Sequence, residues 1–246
     1  MTDPLQTAAD AAAREVDGVH EPEPTLLGEQ MVQEIDAPQG SDQWIKNRLG
    51  KVTASRFADV LTNPRSKMPG VLSKTAQNYM FDLIAEILTG VPQGFGGNEA
   101  TEWGNEHEAA AVVAYERRTG NICTEVGFVN HPTESRVGGS PDRLIGDDGG
   151  LEVKCPFNTR VHLEYVLGDV LPENHEAQVQ GNIWVNKRDW WDFGSYDPRI
   201  ADPRLGLFIV HVERDQAYIN HLQRRVAAFR DQMIAHLKTI MKGLSE

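Results

Sequence analysis

The sequence predicts an α/β domain in which helices flank a central mixed β-sheet. Helix-period apolar patterns with capping signals recur from about residue 53 to about residue 120, and period-two strand patterns replace them between residues 122 and 155. Helices and strands then alternate until a long amphipathic helix closes the chain. With 246 residues, the chain is long enough to bury a sizeable core.

In chain order, residues 1–40 are rich in Ala, Glu and Pro and poor in large apolar groups, which predicts an acidic, mobile leader ahead of a folded domain over 41–246. Thr53 is placed to cap a short helix running to Leu61, which Asn63-Pro64 ends. Ser73 caps a second helix with Met80, Leu83, Ile84, Ile87 and Leu88 on one face and Gly90 at its end. A third helix is expected from about Ala100 to Arg118, with Ala110, Val113 and Ala114 inward and Gly120 as terminator. Residues 122–129, 136–145 and 151–155 read as strands, and the glycine-rich turn 146–150 makes a hairpin of the last two. Helices at about 158–167 and 173–186, strands at 190–196 and 206–213, and a helix from Asp215 to about Lys242 complete the pattern. The aromatic run Trp190-Trp191-Asp192-Phe193 could stack on bases, but its alternation in a strand favours burial in the core.

The net charge of −12 is unevenly placed. Residues 1–40 carry −8, while 41–80 hold seven bases against Asp42 and Asp59, a local +5. Such a stretch either grips phosphates or forms a solvated basic face. Two cysteines, Cys123 and Cys155, are too few for a four-thiolate metal site and are expected to be reduced thiols. The N-terminus shows no export signal and no apolar run reaches the roughly 20 residues of a membrane span, so a cytoplasmic protein with no membrane partner is expected.

The segment most charged with chemistry is Gly139-Ser140-Pro141-Asp142, a turn, and then Gly150-Leu151-Glu152-Val153-Lys154-Cys155-Pro156. Period-two alternation sends Glu152 and Lys154 to one face of a strand while Leu151 and Val153 enter the core on the other. The hairpin returns this strand beside Asp142. Two carboxylates make a hard oxygen site suited to Mg²⁺, and a neighbouring lysine can orient or help deprotonate a water and offset charge on a phosphodiester. An acid-x-Lys triplet by itself is equally an exposed ion pair on a strand. The Pro-Asp across the hairpin and the apolar flanks are what give it weight.

Several ordered motifs carry a family resemblance: Trp44 to Ser55 (WIKNRLGKVTAS), Trp103 to Glu108 (WGNEHE), Ser140-Pro-Asp142, Leu151 to Phe157 (LEVKCPF), Ala177-Gln178-Val-Gln180, Ser195 to Arg199 (SYDPR) and Val212 to Asp215 (VERD). In these the chain resembles the phage lambda exonuclease group, the YqaJ-like viral recombinases, of the PD-(D/E)xK nuclease superfamily, from about Trp44 to the C-terminal helix. The resemblance implies a restriction-endonuclease-like core. It also implies a Mg²⁺-dependent 5′-to-3′ exonuclease that degrades one strand of duplex DNA from its end, with two Mg²⁺ and Mn²⁺ as a substitute. Asp142 and Glu152 would be the principal metal ligands, helped by the Val153 carbonyl. Lys154 would be the catalytic lysine, Glu108 would face the metal from the third helix, and Gln178 would hydrogen-bond near the attacking water. Arg48, Ser55 and Ser140 would form a pocket for a terminal 5′ phosphate, and Arg65 would touch duplex DNA ahead of the site. A homotrimeric ring threaded by DNA, a single-strand annealing protein as partner, and a phage or prophage origin are further implications. The chain departs from the family in having Thr101 where a bulky apolar wedge is expected just before the Trp-Gly pair.

Rival chemistries leave weaker traces. His107-Glu108 and His175-Glu176 begin like zinc-protease helices, but positions 111 and 179 are Ala and Val rather than the required second His. An endonuclease would share Asp142, Glu152 and Lys154, and only Arg48, Ser55 and Ser140 argue for an end-directed enzyme. A non-catalytic DNA-end-binding scaffold would have no need of those three central side chains.

Overall fold

A computed structural model of the chain describes residues 33–35, 37–66, 68, 70–94 and 97–242. The acidic leader lies almost wholly outside these residues, although its last part is a strand, β1 (Gln33–Ile35). Next comes α1 (Asp42–Arg48), capped by the Ser41 hydroxyl, which accepts from Trp44 N. Strand β2 (Val52–Thr53) runs through a 3₁₀ turn (Ala54–Arg56) into α2 (Phe57–Leu61). Thr53 makes no side-chain cap there. Its hydroxyl lies 3.3 Å from that of Ser55 instead. Helix α3 (Lys74–Thr89) has the expected Ser73 cap and a left-handed Gly90 at its end.

Helix α4 (Glu99–Thr119) has the expected length and Ala114 packs against the core as expected, but the buried face is Ala111, Val112 and Tyr115, with Ala110 and Val113 turned outward. Val113 is 43% exposed. The rotation is set by Tyr115, whose hydroxyl donates to Asp192 Oδ2 at 2.5 Å. An alanine-rich helix offers little apolar contrast, so one buried hydrogen bond decides which side turns inward.

Each of the first two expected strands is in fact two. Residues 122–129 divide into β3 (Cys123–Thr124) and β4 (Phe128–Asn130), and residues 136–145 into β5 (Val137–Gly139) and β6 (Arg143–Ile145). The halves belong to different sheets. One sheet has the order β1-β4-β5-β2. The other runs β3-β6-β7-β8-β9, with β7 (Gly149–Lys154), β8 (Trp190–Tyr196) and β9 (Leu207–Glu213). Pro141 stands at the crossing from β5 to β6, where its missing N–H suits a break in the ladder.

The β6–β7 hairpin is antiparallel as expected, with Arg143 opposite Leu151. Strands β7 and β8 are parallel, Lys154 pairing with Ser195. A parallel pair needs a crossover, and α5 (Thr159–Gly168) and α6 (Glu173–Val185) supply it. The closing helix is α7 (Gln216–Lys242). Among the described residues no helix is long and apolar enough to cross a membrane.

The five-stranded sheet carries cores on both faces. Leu151 and Val153 pack with α4 residues Ala111, Val112 and Tyr115 on one side. Trp191 and Phe193 join α3, α6 and α7 on the other. The aromatic run of β8 is therefore core, with both Trp191 and Phe193 fully buried. Helix α6 comes close enough to the Ala54–Arg56 turn that a Cβ on Gly181 would stand 2.4 Å from the Phe57 ring.

Ala is the better helix former by about 1 kcal/mol, yet Gly181→Ala should destabilise the protein, because overpacking a filled core costs roughly 1–3 kcal/mol. A urea midpoint equal to or above that of the parent protein would show that Phe57 yields and that α6 is not held by this contact.

Candidate active site

Strand β7 ends at the floor of an open cleft of about 690 Å³, lined among others by Thr101, Glu108, Asp142, Val153, Lys154, Cys155 and His175. Alternation places Glu152 on the α6 side of the sheet. It does not emerge into solvent, as a strand-face ion pair would, but is 1% exposed. A buried carboxylate must be matched by donors. Oε1 accepts from the Lys154 ammonium and, at 2.5 Å, from Gln178 Nε2. Oε2 accepts from Asn182 Nδ2 at 3.1 Å. Asp142 opens β6 directly opposite, and its Oδ2 accepts from Val153 N at 2.7 Å. The three central side chains expected from sequence thus meet at one sheet end.

The electrostatics follow from this crowding. Burial first, then the Glu152 charge, push the Asp142 carboxyl well above the usual carboxylate range. Burial pulls Lys154 down, but Glu152 and Asp142 outweigh it and hold the ammonium above its ordinary value, so Lys154 is a cationic donor rather than a base. Burial also pushes the Cys155 thiol up to about 12, and burial with the Lys154 charge takes His175 down to about 4. Neither is a thiolate nucleophile or a charged histidine at neutral pH. Both cysteines are free.

Glu108 reaches the cleft wall from α4, where Arg143 Nη1 donates to its Oε1 at 3.0 Å. Burial, then the nearby Asp142, raise its carboxyl. Among the described residues, no three His, Cys, Asp or Glu side chains gather in a ligating group, although Glu108 and Asp142 line the same cleft. The Asp142–Glu152 pair fits a hard divalent cation, since two repelling carboxylates in a low-dielectric site are relieved by one.

The phosphate-pocket residues also converge. Arg48 Nη1 donates to Ser140 Oγ at 3.4 Å, and Trp44 Nε1 to the same oxygen at 3.0 Å, with the guanidinium stacked 4.4 Å above the Trp44 ring. Arg48, Lys51, Ser55 and Arg56 line a hollow of about 120 Å³. Arg65 is exposed after α2 and lines neither this hollow nor the cleft.

Three supporting groups escaped sequence reasoning. Arg143 is one. Asn182 is the second, and its only trace is the i, i+4 spacing from Gln178 on a helix. Third is a brace under the Pro156-Phe157 segment. Arg199 forks onto Asp197 at 2.8 Å through both Nε and Nη2, donates to the Pro156 and Phe157 carbonyls, and stacks on Trp103. This joins the Trp-Gly motif to the Asp-Pro-Arg motif in space.

The YqaJ-like viral recombinase domain matches residues 43–189. The chain belongs to this family. Among solved structures, the alkaline exonuclease LHK-Exo of Laribacter hongkongensis, alone and in complex with dAMP, is 38% identical at a TM-score of 0.76, over 83% of this chain and 98% of that one. A phage-related exonuclease of Haemophilus somnus 129PT, 18% identical at a TM-score of 0.65 over 77% of this chain and 96% of its own, shares the fold. Protein R354 of Acanthamoeba polyphaga mimivirus is 27% identical over 167 residues, 63% of this chain but 28% of R354, so the chain spans little more than a quarter of that relative. ExoD of Escherichia coli K12 is 35% identical over 73 residues, 29% of this chain and 82% of ExoD. The fold is the restriction-endonuclease-like α/β class that the motifs implied.

The brace sets an acid limit on stability. Burial would raise Asp197, but the Arg199 fork, Thr159 and the Arg199 N–H outweigh it and hold the carboxyl at about 2. Its contribution is complete above the ordinary value of 3.8 and is lost as pH falls through about 2. Asp197→Asn should lower the thermal midpoint at pH 7 and flatten its decline below pH 4. An unaltered acid limb would remove Asp197 from the brace.

Proposed function

We propose that this recombinase is a Mg²⁺-dependent DNA exonuclease that degrades one strand of duplex DNA from its 5′ end. It releases 5′-mononucleotides and leaves 3′ single-stranded overhangs for recombination. The observation that carries this reading is the segment Ser140-Pro141-Asp142. Ser140 Oγ accepts from Arg48, which lines the hollow, and Asp142, two residues on, lines the cleft. Two residues of extended chain span at most about 7 Å, which is close to the spacing of successive phosphates along a strand. A terminal 5′ phosphate held by Arg48, Ser55 and Ser140 would leave the next phosphate at Asp142, Glu152 and Lys154. The names of the alkaline exonucleases that share the fold support the same reading.

Arg48 suits the terminal phosphate because a planar guanidinium gives charge-assisted, forked hydrogen bonds to its oxygens. Burial lowers Arg48 from its usual value, but a guanidinium stays charged at any working pH. At the scissile phosphate, Lys154 and Gln178 donate hydrogen bonds from one side of Glu152. They are placed to orient a water in line with the P–O3′ bond and to stabilise charge on the phosphorus oxygens. Water attacks phosphorus, the P–O3′ bond breaks, and the O3′ takes up a proton as the mononucleotide leaves. The next nucleotide then carries the new 5′ phosphate, so each product end is the following substrate.

Asp142, Glu152 and the Val153 carbonyl, with Glu108 nearby, would hold Mg²⁺, one ion or two, with Mn²⁺ as a substitute. The metal supplies Lewis-acid stabilisation of phosphate charge and lowers the pKa of a water. A homotrimeric ring closed around DNA, a single-strand annealing protein as partner and a phage or prophage origin in a bacterial cytoplasm complete the proposal. They are supported by the family.

The deciding experiment digests end-labelled duplexes with 5′-phosphate or 5′-hydroxyl ends, and closed circles, with and without Mg²⁺. Nucleotide release from linear duplex only, requiring Mg²⁺, is expected. Cleavage of circles would make the protein an endonuclease, and tight binding without release would make it a scaffold. Lys154→Ala should reduce turnover at least about 10²-fold while duplex binding stays within a few-fold, and near-normal turnover would refute its role. Arg48→Ala should slow digestion of 5′-phosphorylated ends far more than of 5′-hydroxyl ends, and equal slowing of both would remove the pocket.

A further inference from the structure

Asn182 sits two turns into α6, 1% exposed, in a stretch where Val179, Ile183, Trp184 and Val185 are all core. Its amide nitrogen donates to Glu152 Oε2 at 3.1 Å. Turning the amide over would set its oxygen against a carboxylate oxygen, acceptor to acceptor, so the donor must face Glu152. The outward oxygen, Oδ1, is then buried with no donor among the described residues. Gly139 closes over it, since a Cβ there would lie 3.0 Å from Oδ1.

An unpartnered buried amide oxygen costs roughly 1–3 kcal/mol. Were the position only a filler, leucine would occupy about the same volume without that cost. What asparagine provides and leucine cannot is the single donor to Oε2. The other oxygen of Glu152 is already served twice, by Lys154 and Gln178. Without Asn182, the carboxylate would keep donors on one oxygen only and could turn about its last bond.

We infer that Asn182 is a positioning residue that fixes the rotation of the Glu152 carboxylate, so that its free electron pairs are presented toward Asp142 for a divalent cation. The inference rests on the metal-dependent reading above. Asn182 touches neither DNA nor metal and acts only through Glu152. Its loss should therefore weaken cation binding while leaving the fold and the DNA-binding surface in place.

The test uses the full chain with Asn182→Leu, which fills the space, and Asn182→Ala, which favours the helix. Mg²⁺ binding is read by calorimetry and by the Mg²⁺-dependent rise of the thermal midpoint, both without DNA. Nuclease activity is titrated with Mg²⁺ in parallel. The expected result is a half-saturating Mg²⁺ concentration raised about tenfold or more, in a variant that melts cooperatively and binds duplex DNA like the parent in EDTA. Activity should recover in part at high Mg²⁺, a recovery that a packing defect would not give. Unchanged Mg²⁺ affinity in either folded variant overturns the inference while leaving the nuclease reading intact. A parent protein that binds no Mg²⁺ and releases no nucleotide overturns both.

Discussion

Glu152 is a carboxylate taken out of water, and most of the architecture around it follows from keeping it ionised there. Such a group costs several kcal/mol unless its oxygens are matched by donors. Lys154 comes from the same strand, two residues on, and is free to locate. Gln178 and Asn182 are not, because they lie on α6, and α6 exists to carry the chain from β7 to the parallel strand β8. The crossover that the sheet topology demands is thus also the element that satisfies the acid. Its approach to α2 and to β5 is close at Gly181 against Phe57 and at Gly139 against Asn182, two places where a methyl group has little room.

The second constraint is the change of sheet at Pro141. Strand β5 belongs to the sheet that carries β2, and β6 to the sheet that carries β7. A chain that passes between two sheets within three residues places side chains from both architectures side by side. Ser140 meets Trp44 and Arg48 from α1, while Asp142 meets Val153 of β7. The Arg48–Ser140 contact and the Asp142–Val153 contact thus stand on either side of one crossing, and covalent geometry bounds how far apart they can be.

What could be read beforehand divides along the line between local and non-local causes. Ser73, Gly90 and Gly120 end helices through contacts within a few residues, so those boundaries were legible. The hairpin and the Asp142–Glu152–Lys154 convergence were legible for the same reason, since a turn and a period of two suffice to place them. The splitting of residues 122–129 and 136–145 was not, because only partners distant in the chain divide each run between sheets. The face of α4 was misread because Tyr115 takes its orientation from Asp192, 77 residues away. Asn182 was missed because it is one polar residue among several on α6, and nothing near it in the chain names its partner. The brace was half visible: two motifs were evident, but not that Arg199 stacks on Trp103.

The distribution of charge shows how an acidic chain can hold a basic hollow. Several bases are committed to local acids: Arg56 to Asp59, Arg143 to Glu108, Arg199 to Asp197 and Arg230 to Glu134. The net charge of −12 therefore says little about any one surface. Arg48 and Lys51 line the hollow, while Asp142 and Glu108 line the cleft beside the buried Glu152. On the proposed reading, a phosphate is drawn to the first set and repelled by the second, and a strand lying across both is stable only if a cation offsets the acids. Burial first, then the Glu152 charge, raise Asp142 in the metal-free protein. A divalent ion would offset the charge of both acids, so substrate entry and metal loading are coupled through one electrostatic balance.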